Sequence, residues 1–182
     1  MASSSSSSSS KKMFVLKSEE GESFEIDEKV AFQSQAIKHI IEDECDDNVI
    51  PIPFPSDIVS KVIDYCEKHA AYQPSSENDD GHKYLVEWKP FGEKVDKAAE
   101  ELKAFDAEFA KVDTDMVQQI LLAANFLDIK KLIDLMCHTI VDRIKGKTPE
   151  EIRTILNIKN DFTPEEEAAL RAEHAWAFEG FE

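Results

Sequence analysis

The order of the predicted elements favours an α+β fold, with strands near the start of the chain and mainly helices after them. Met13–Leu16 and Ser23–Asp27 predict two strands joined by a turn at Gly21. Val49–Pro53 alternates apolar residues with prolines, which suits an edge strand because proline cannot donate a ladder hydrogen bond. Since strands come first and helices follow, alternating βαβ units are not expected.

Three stretches predict helices before the two longer helices of the central region. Val30–Ile41 carries apolar residues at helical spacing, and a second helix begins after Pro55 with an apolar stripe over Ile58–Cys66. A polar, turn-rich stretch follows, and we expect a mobile acidic insertion over about 72–100. Val95–Phe109 then has helical character but is strongly charged, so we expect few contacts to depend on this region.

Two longer helices are predicted to follow the insertion. The first starts at Asp113 or Thr114, either of which has a short side chain whose oxygen can accept a hydrogen bond from the first turn. The second starts at about Asp128 and ends at Gly146, because glycine adopts the left-handed conformation of a helix end without steric cost. Both helices carry broad apolar stripes, most of which we assign to the core of the domain.

The words TPEE occur twice, at Thr148–Glu151 and Thr163–Glu166. Each predicts a capping box, in which the threonine and the glutamate three residues later exchange hydrogen bonds at a helix start. Proline suits the first helical position because its missing N–H would have no partner there. The two helices that follow are short, and short helices need a surface on which to pack.

Composition excludes several classes of partner. The chain has 182 residues and a formal net charge of −17, which argues against binding to nucleic acid or to an anionic membrane surface. We find no apolar run of the ~20 residues that a membrane helix needs, and polyserine stands where a signal peptide would be apolar. Three scattered cysteines suit a reducing compartment better than a disulfide scaffold.

No pattern in the sequence predicts catalysis or metal binding. Ser76–Glu87 matches a calcium loop only in part, because serine stands at the first ligand position. Cys137 and His138 are adjacent, so they cannot face each other on a helix, and we expect Cys137 to be a small buried apolar group. We therefore expect no enzyme activity, cofactor, metal or small-molecule substrate.

A surplus of apolar residues follows Gly146, on short helices and connectors with no domain of their own. Such a surface would promote aggregation unless something covers it, and a partner helix lying in a groove would do so. This surplus predicts an interaction surface. Its members are Ile152, Leu156, Ile158, Phe162, Trp176, Phe178 and Phe181.

The words LLAANFLDIKKLIDLMC, IKGKTPEEIRTILNIKNDFTPEEE and WAFE resemble the Skp adaptor family (S-phase kinase-associated protein 1-like) in its plant form. The resemblance is moderate over Met13–His69 and close over Asp113–Glu179. It implies a BTB/POZ-like domain with added C-terminal helices that bind an F-box. It also implies a non-catalytic adaptor that bridges a cullin scaffold and F-box proteins in an SCF-type ubiquitin ligase for protein ubiquitination and degradation.

The resemblance also implies site residues. The cullin-binding positions are Gln118, Asn125 and Phe126, of which Phe126 stands where the family usually has tyrosine. The F-box-binding positions are Val117, Leu121, Ile140, Ile144, Pro149, Ile152, Leu156, Ile158, Phe162 and Trp176.

We accordingly predict a disordered serine-rich tail over 1–12, a BTB/POZ-like domain over 13–146 and an F-box-binding helical extension over 147–182. The expected location is the nucleus and cytoplasm. The alternative is a self-associating BTB scaffold with no role in a ligase, and an uncharacterised enzyme is a more remote rival.

Overall fold

The computed structural model describes residues 12–43, 49–72 and 97–175. Most of the predicted serine tail and of the acidic insertion lies outside these ranges, as do the partial calcium loop and Trp176. Within them the chain forms a small sheet and helices, so the predicted α+β class is confirmed.

The described strands make a mixed sheet in the order β2-β1-β3. Strands β1 (Met13–Lys17) and β2 (Ser23–Asp27) are antiparallel, and Gly21 adopts φ +87° in the turn between them. Strand β3 (Val49–Pro51) pairs with β1 in parallel and lies at an edge, as its prolines predict. The two strand predictions and the edge position are therefore confirmed.

The single helix predicted over Val30–Ile41 is wrong, because the chain breaks there into α1 (Glu28–Ala31) and α2 (Gln35–Glu42). Ser34 lies in the break and is 2% exposed. Its hydroxyl accepts a hydrogen bond from the Ile37 amide at 3.1 Å and donates one to the Leu127 carbonyl at 2.5 Å. A contact 93 residues away in sequence therefore holds the break.

Helix α4 (Lys97–Phe109) packs against helix α3 (Ser56–Ala71) through aromatic rings. Tyr65 stacks on the His69 ring with centroids 4.0 Å apart, and it contacts Phe109 at 5.4 Å. His69 Nε2 also lies 2.8 Å from an Asp106 carboxylate oxygen. The expectation that few contacts depend on this region is therefore wrong for α4, because aromatic rings hold it against α3. The many charged residues of this stretch had suggested a solvent-exposed segment.

The central helices α5 (Thr114–Phe126) and α6 (Lys130–Ile144) pack against each other, and α5 also packs on α3. Asp113 caps α5 by accepting a hydrogen bond from the Met116 amide at 2.7 Å, which confirms one of the two predicted caps. The most buried apolar residues of the domain core in this helix pair are Val117, Ile120, Ala124, Leu132 and Met136.

Gly146 follows the end of α6, and its φ of +69° confirms the predicted left-handed helix end. Helices α7 (Pro149–Ile155) and α8 (Pro164–Glu173) follow, and neither contains a buried residue. In the part of the chain that the structure describes, every helix is too short or too polar to cross a membrane.

Candidate interaction surface

The extension formed by α7 and α8 exposes apolar side chains that no core receives. Ile158 is 53% exposed and Phe162 is 47% exposed, both on the connector between the two helices. Pro149, Ile152 and Leu156 are half-buried, but they are not among the residues packed against the domain core. Five of the predicted F-box-binding residues therefore lie on one short segment, and about half of the surface of Ile158 and of Phe162 is exposed.

Both helices of the extension begin with the predicted capping box, which is confirmed. The Thr148 amide donates to the Glu151 carboxylate at 2.9 Å, and the Glu151 amide donates to the Thr148 hydroxyl at 3.2 Å. Thr163 and Glu166 make the same pair of bonds at 2.9 and 3.3 Å. Because the threonine amides stabilise the charged carboxylates, they hold the pKa values of both glutamates below the ordinary range.

An open groove of 460 Å³ lies against α7 and the connector. Arg153 and Lys159 give its wall two positive charges and Glu150 gives it one carboxylate, while Ile158 adds an exposed aliphatic group and Asn160 an amide. Asn157 also contributes to the wall and adopts φ +54°, which turns the chain out of α7 into the connector. A groove with this mixture suits an amphipathic peptide segment better than a small apolar ligand.

The predicted F-box-binding residues of α5 and α6 lie deeper than the predicted residues of the extension. Leu121 and Ile140 are half-buried against the domain core, and Ile144 is half-buried at the last position of α6. Val117 is 0% exposed, which contradicts its placement on a contact surface. Val117 faces inward because it belongs to the apolar stripe that α5 buries against its neighbours. The apolar pattern of the sequence does not distinguish the residues of a stripe that the core covers from those that remain accessible.

Of the predicted cullin-binding residues, Asn125 and Phe126 lie at the C-terminal end of α5, whereas Gln118 lies about two turns earlier in its N-terminal half. Asn125 is exposed, Gln118 is half-buried, and Phe126 is 48% exposed. The ring of Phe126 makes an edge-on contact with Phe54, with centroids 5.8 Å apart. Because Phe54 packs against the domain core, this contact restricts the orientation of the exposed Phe126 ring.

Leu122 extends this second surface, although the sequence reasoning did not select it. It is 56% exposed and lies four residues before Phe126, so the two side chains share one face of α5. The spacing of four between Leu122 and Phe126 indicated a shared helix face. Leu122 was not selected because the apolar residues next to it, such as Ala123 and Ala124, belong to the core. Phe54, from the segment between β3 and α3, was also not selected and supports the same patch.

The two candidate surfaces lie at opposite ends of α6. The first follows the end of α5, where the chain turns at Asp128 with φ +49° to enter α6. The extension follows the other end of α6 after Gly146. Since α6 has 15 residues, a helix of its length separates the two ends by ~20 Å. Two partners could therefore bind at the same time.

The described cysteines have environments that differ from each other. Burial raises the pKa of the Cys66 thiol to about 12, which makes it a poor nucleophile. Cys137 is exposed, so the expectation that it is buried is wrong. Its neighbour Met136 is 0% exposed, because consecutive helix residues point about 100° apart and the core needed only one of them. Residues 12–43, 49–72 and 97–175 contain no cluster of three metal-ligating side chains.

Comparison with known proteins finds similarity to the Skp1 family over most of the chain. Residues 12–71 match the family model described as the Skp1 family tetramerisation domain, and residues 130–177 match the Skp1 family dimerisation domain. The chain is 50% identical to SKP1-like protein 1A of Arabidopsis thaliana over 172 residues, covering 92% of this chain and 98% of that protein. It is 51% identical to SKP1-like protein 1 of Oryza sativa subsp. japonica over 169 residues, covering 92% and 96%. It is 53% identical to SKP1-like protein 20 of the same plant over 170 residues, covering 92% and 95%.

Proposed function

The chain belongs to the Skp1 family, and we propose that it bridges a cullin scaffold and F-box substrate receptors in an SCF-type ubiquitin ligase. Members of this family are non-catalytic adaptors, and this chain is not an enzyme. The proposed action is tethering, in which the adaptor holds the substrate receptor near the ubiquitin-charged enzyme and so raises the effective concentration of the substrate.

The observation that carries the F-box part of this proposal is the exposed apolar surface of the extension. Ile158 and Phe162 expose about half of their side-chain surface on a segment that contributes nothing to the domain core. A partner that covers them gains roughly 25 cal/mol for each Å² of apolar area removed from water. The capping boxes hold α7 and α8 on either side of this segment as helices, so the partner does not have to order those two helices from coil.

The cullin part of the proposal rests on the surface at the end of α5. Leu122 and Phe126 provide an apolar patch, and Asn125 beside them provides a polar group that can fix the orientation of a partner. Interface centres are enriched in aromatic anchors, and polar groups are usual at the rim around them. Because this patch is ~20 Å from the extension, binding of the cullin does not obstruct the F-box.

We also propose that the protein acts in the nucleus and cytoplasm. Cys66 and Cys137 are free thiols, which persist in reducing compartments. Fractionation of cells that express a tagged chain tests this location, and recovery of the chain in a secreted fraction would contradict it.

The bridging proposal is tested by reconstitution from purified parts. The full chain is mixed with a synthetic F-box peptide and with the N-terminal fragment of a cullin, separately and together, and each mixture is analysed by size-exclusion chromatography with light scattering. We expect two binary complexes and one ternary complex with one copy of each part. A stable homodimer that binds neither partner would overturn the proposal and favour the self-associating scaffold.

A further inference from the structure

The carboxylate of Glu167 on α8 collects three donors from different parts of the extension. Arg153 Nη1 on α7 lies 3.5 Å from Glu167 Oε1, and Arg171 Nη2 on α8 lies 3.5 Å from the same oxygen. The Asn160 amide on the connector donates to Glu167 Oε2 at 3.4 Å. A single side chain therefore contacts both helices and the segment between them.

A second pair closes the network. Arg171 on α8 also pairs with the Glu150 carboxylate in the first turn of α7. The charges thus alternate in sign along the series Glu150, Arg171, Glu167, Arg153, and this series crosses between the helices at Glu150–Arg171 and again at Glu167–Arg153. We call these four residues the α7–α8 ion network.

The α7–α8 ion network joins two helices that share little buried apolar surface. Neither α7 nor α8 contains a buried residue, and the apolar residues of both helices lie outside the set packed against the domain core. The side chains of Arg153 and Glu167 are 25% and 29% exposed, so this pair is better shielded from solvent than the pair of Arg171 and Glu150, whose side chains are about half exposed. Ionic contacts therefore contribute more to the relative placement of these helices than they do in the domain.

We propose that the α7–α8 ion network positions α8 on α7 before a partner arrives, and that the affinity of the extension for an F-box depends on this placement. The proposal rests on the F-box-binding function proposed above. Phe162 and Ile158 lie between the two helices in sequence, so the angle between the helices sets where these side chains are presented. Glu167 and Arg153 are thus positioning residues, which act through the apolar anchors.

The size of the effect is limited by solvent. Exposed ion pairs contribute little individually because water and salt screen them, and networks with shared partners contribute more. Preorganisation improves affinity by removing an ordering cost from the binding step. The expected loss on breaking the network is therefore about three- to fivefold in F-box affinity, and it should vanish when salt screens the charges.

The test compares Glu167→Gln with Glu165→Gln in the full chain. Glu165 is exposed in the first turn of the same helix, and the two changes remove the same charge from the same end of the helix dipole. Each variant is titrated with a synthetic F-box peptide by calorimetry at 0.1 M and at 1 M salt, where the Debye length is about 10 Å and about 3 Å. Amide hydrogen exchange of the free variants is measured in parallel.

We expect Glu167→Gln to weaken binding about three- to fivefold at low salt and to match the unmodified chain at high salt. Glu165→Gln should bind like the unmodified chain under both conditions. The double variant Arg153→Gln with Glu167→Gln should bind no more weakly than Glu167→Gln alone, because both changes break one interaction.

Equal affinities of Glu167→Gln and Glu165→Gln at low salt would overturn the proposal. Faster amide exchange over α8 in Glu167→Gln with unchanged F-box affinity would also overturn it, since the network would then be structural only. If the unmodified chain does not bind the peptide at all, the proposed function fails instead, and this outcome is distinguished by the exchange data, which do not need the peptide.

Discussion

The replacement of Phe162 by alanine tests the extension against a matched control elsewhere on the protein. Phe162 and Phe126 are the same residue type and are 47% and 48% exposed, but they lie on the two different candidate surfaces. Full burial of a phenylalanine side chain contributes about 3 kcal/mol at most. About half of each side chain remains to be covered, so a partner that buries it gains roughly 1–1.5 kcal/mol.

We therefore expect Phe162→Ala to weaken F-box binding about fivefold to tenfold and to leave cullin binding unchanged. Phe126→Ala should do the opposite, because its ring lies at the end of α5 against Phe54. The assay is calorimetric titration of each variant with the F-box peptide and with the cullin fragment. Phe162→Ala should change the free energy of unfolding by less than ~0.5 kcal/mol. Phe126→Ala should change it by less than ~1 kcal/mol, because this variant also loses the ring contact with Phe54.

The reasoning would be refuted if Phe162→Ala bound the F-box peptide within twofold of the unmodified chain, since its exposed surface would then not be part of the interface. Equal loss of both partners in either variant would show that the two surfaces are not separate. Denaturant unfolding of each variant identifies a loss that comes from misfolding.

Three further predictions concern the extension and the domain separately. A chain that ends at Gly146 should keep the core of the domain, because its buried residues end at Met136, and should lose F-box binding; circular dichroism and the peptide titration check this. Because the folded-state pKa values of Glu151 and Glu166 are lowered, their stabilisation of α7 and α8 is present above the unfolded pKa and is lost as pH falls through the folded values. Hydrogen exchange should therefore show faster amides in α7 and α8 in acid, and protection that is unchanged by acid would contradict the capping role. Leu132→Ala, at a side chain that is 0% exposed, should cost about 2–5 kcal/mol of unfolding free energy, whereas Val141→Ala on the exposed side of the same helix should cost less than ~1 kcal/mol.

Local signals in the sequence were sufficient for much of the site. The two capping boxes, the left-handed end at Gly146 and the cap at Asp113 depend on residues within a few positions of each other, so the sequence alone contains the interaction. The exposure of Ile158 and Phe162 also followed from the sequence, because too few apolar residues surround them to build a core.

Contacts between distant residues decided what the sequence left open. The break at Ser34 depends on the Leu127 carbonyl, and no local pattern reports an acceptor 93 residues away. Arg143 is another case, since its guanidinium donates to the Ala110 carbonyl at 3.1 Å and to the Thr114 hydroxyl at 3.0 Å and so ties the end of α6 to the start of α5. Helical periodicity marks a stripe, but which members of the stripe are covered depends on the neighbours that the fold brings together.

The sequence by itself therefore determined where α5, α7 and α8 start and where α6 ends, which class of fold the chain forms, and that the segment after Gly146 carries exposed apolar residues. Only the tertiary structure decided that Val117 is core, that Cys137 is exposed, and that Glu167 joins α7 to α8. The physical reason is range. Caps and turns are satisfied by hydrogen bonds within a few residues, whereas burial and ion pairing depend on which distant side chains share the same space.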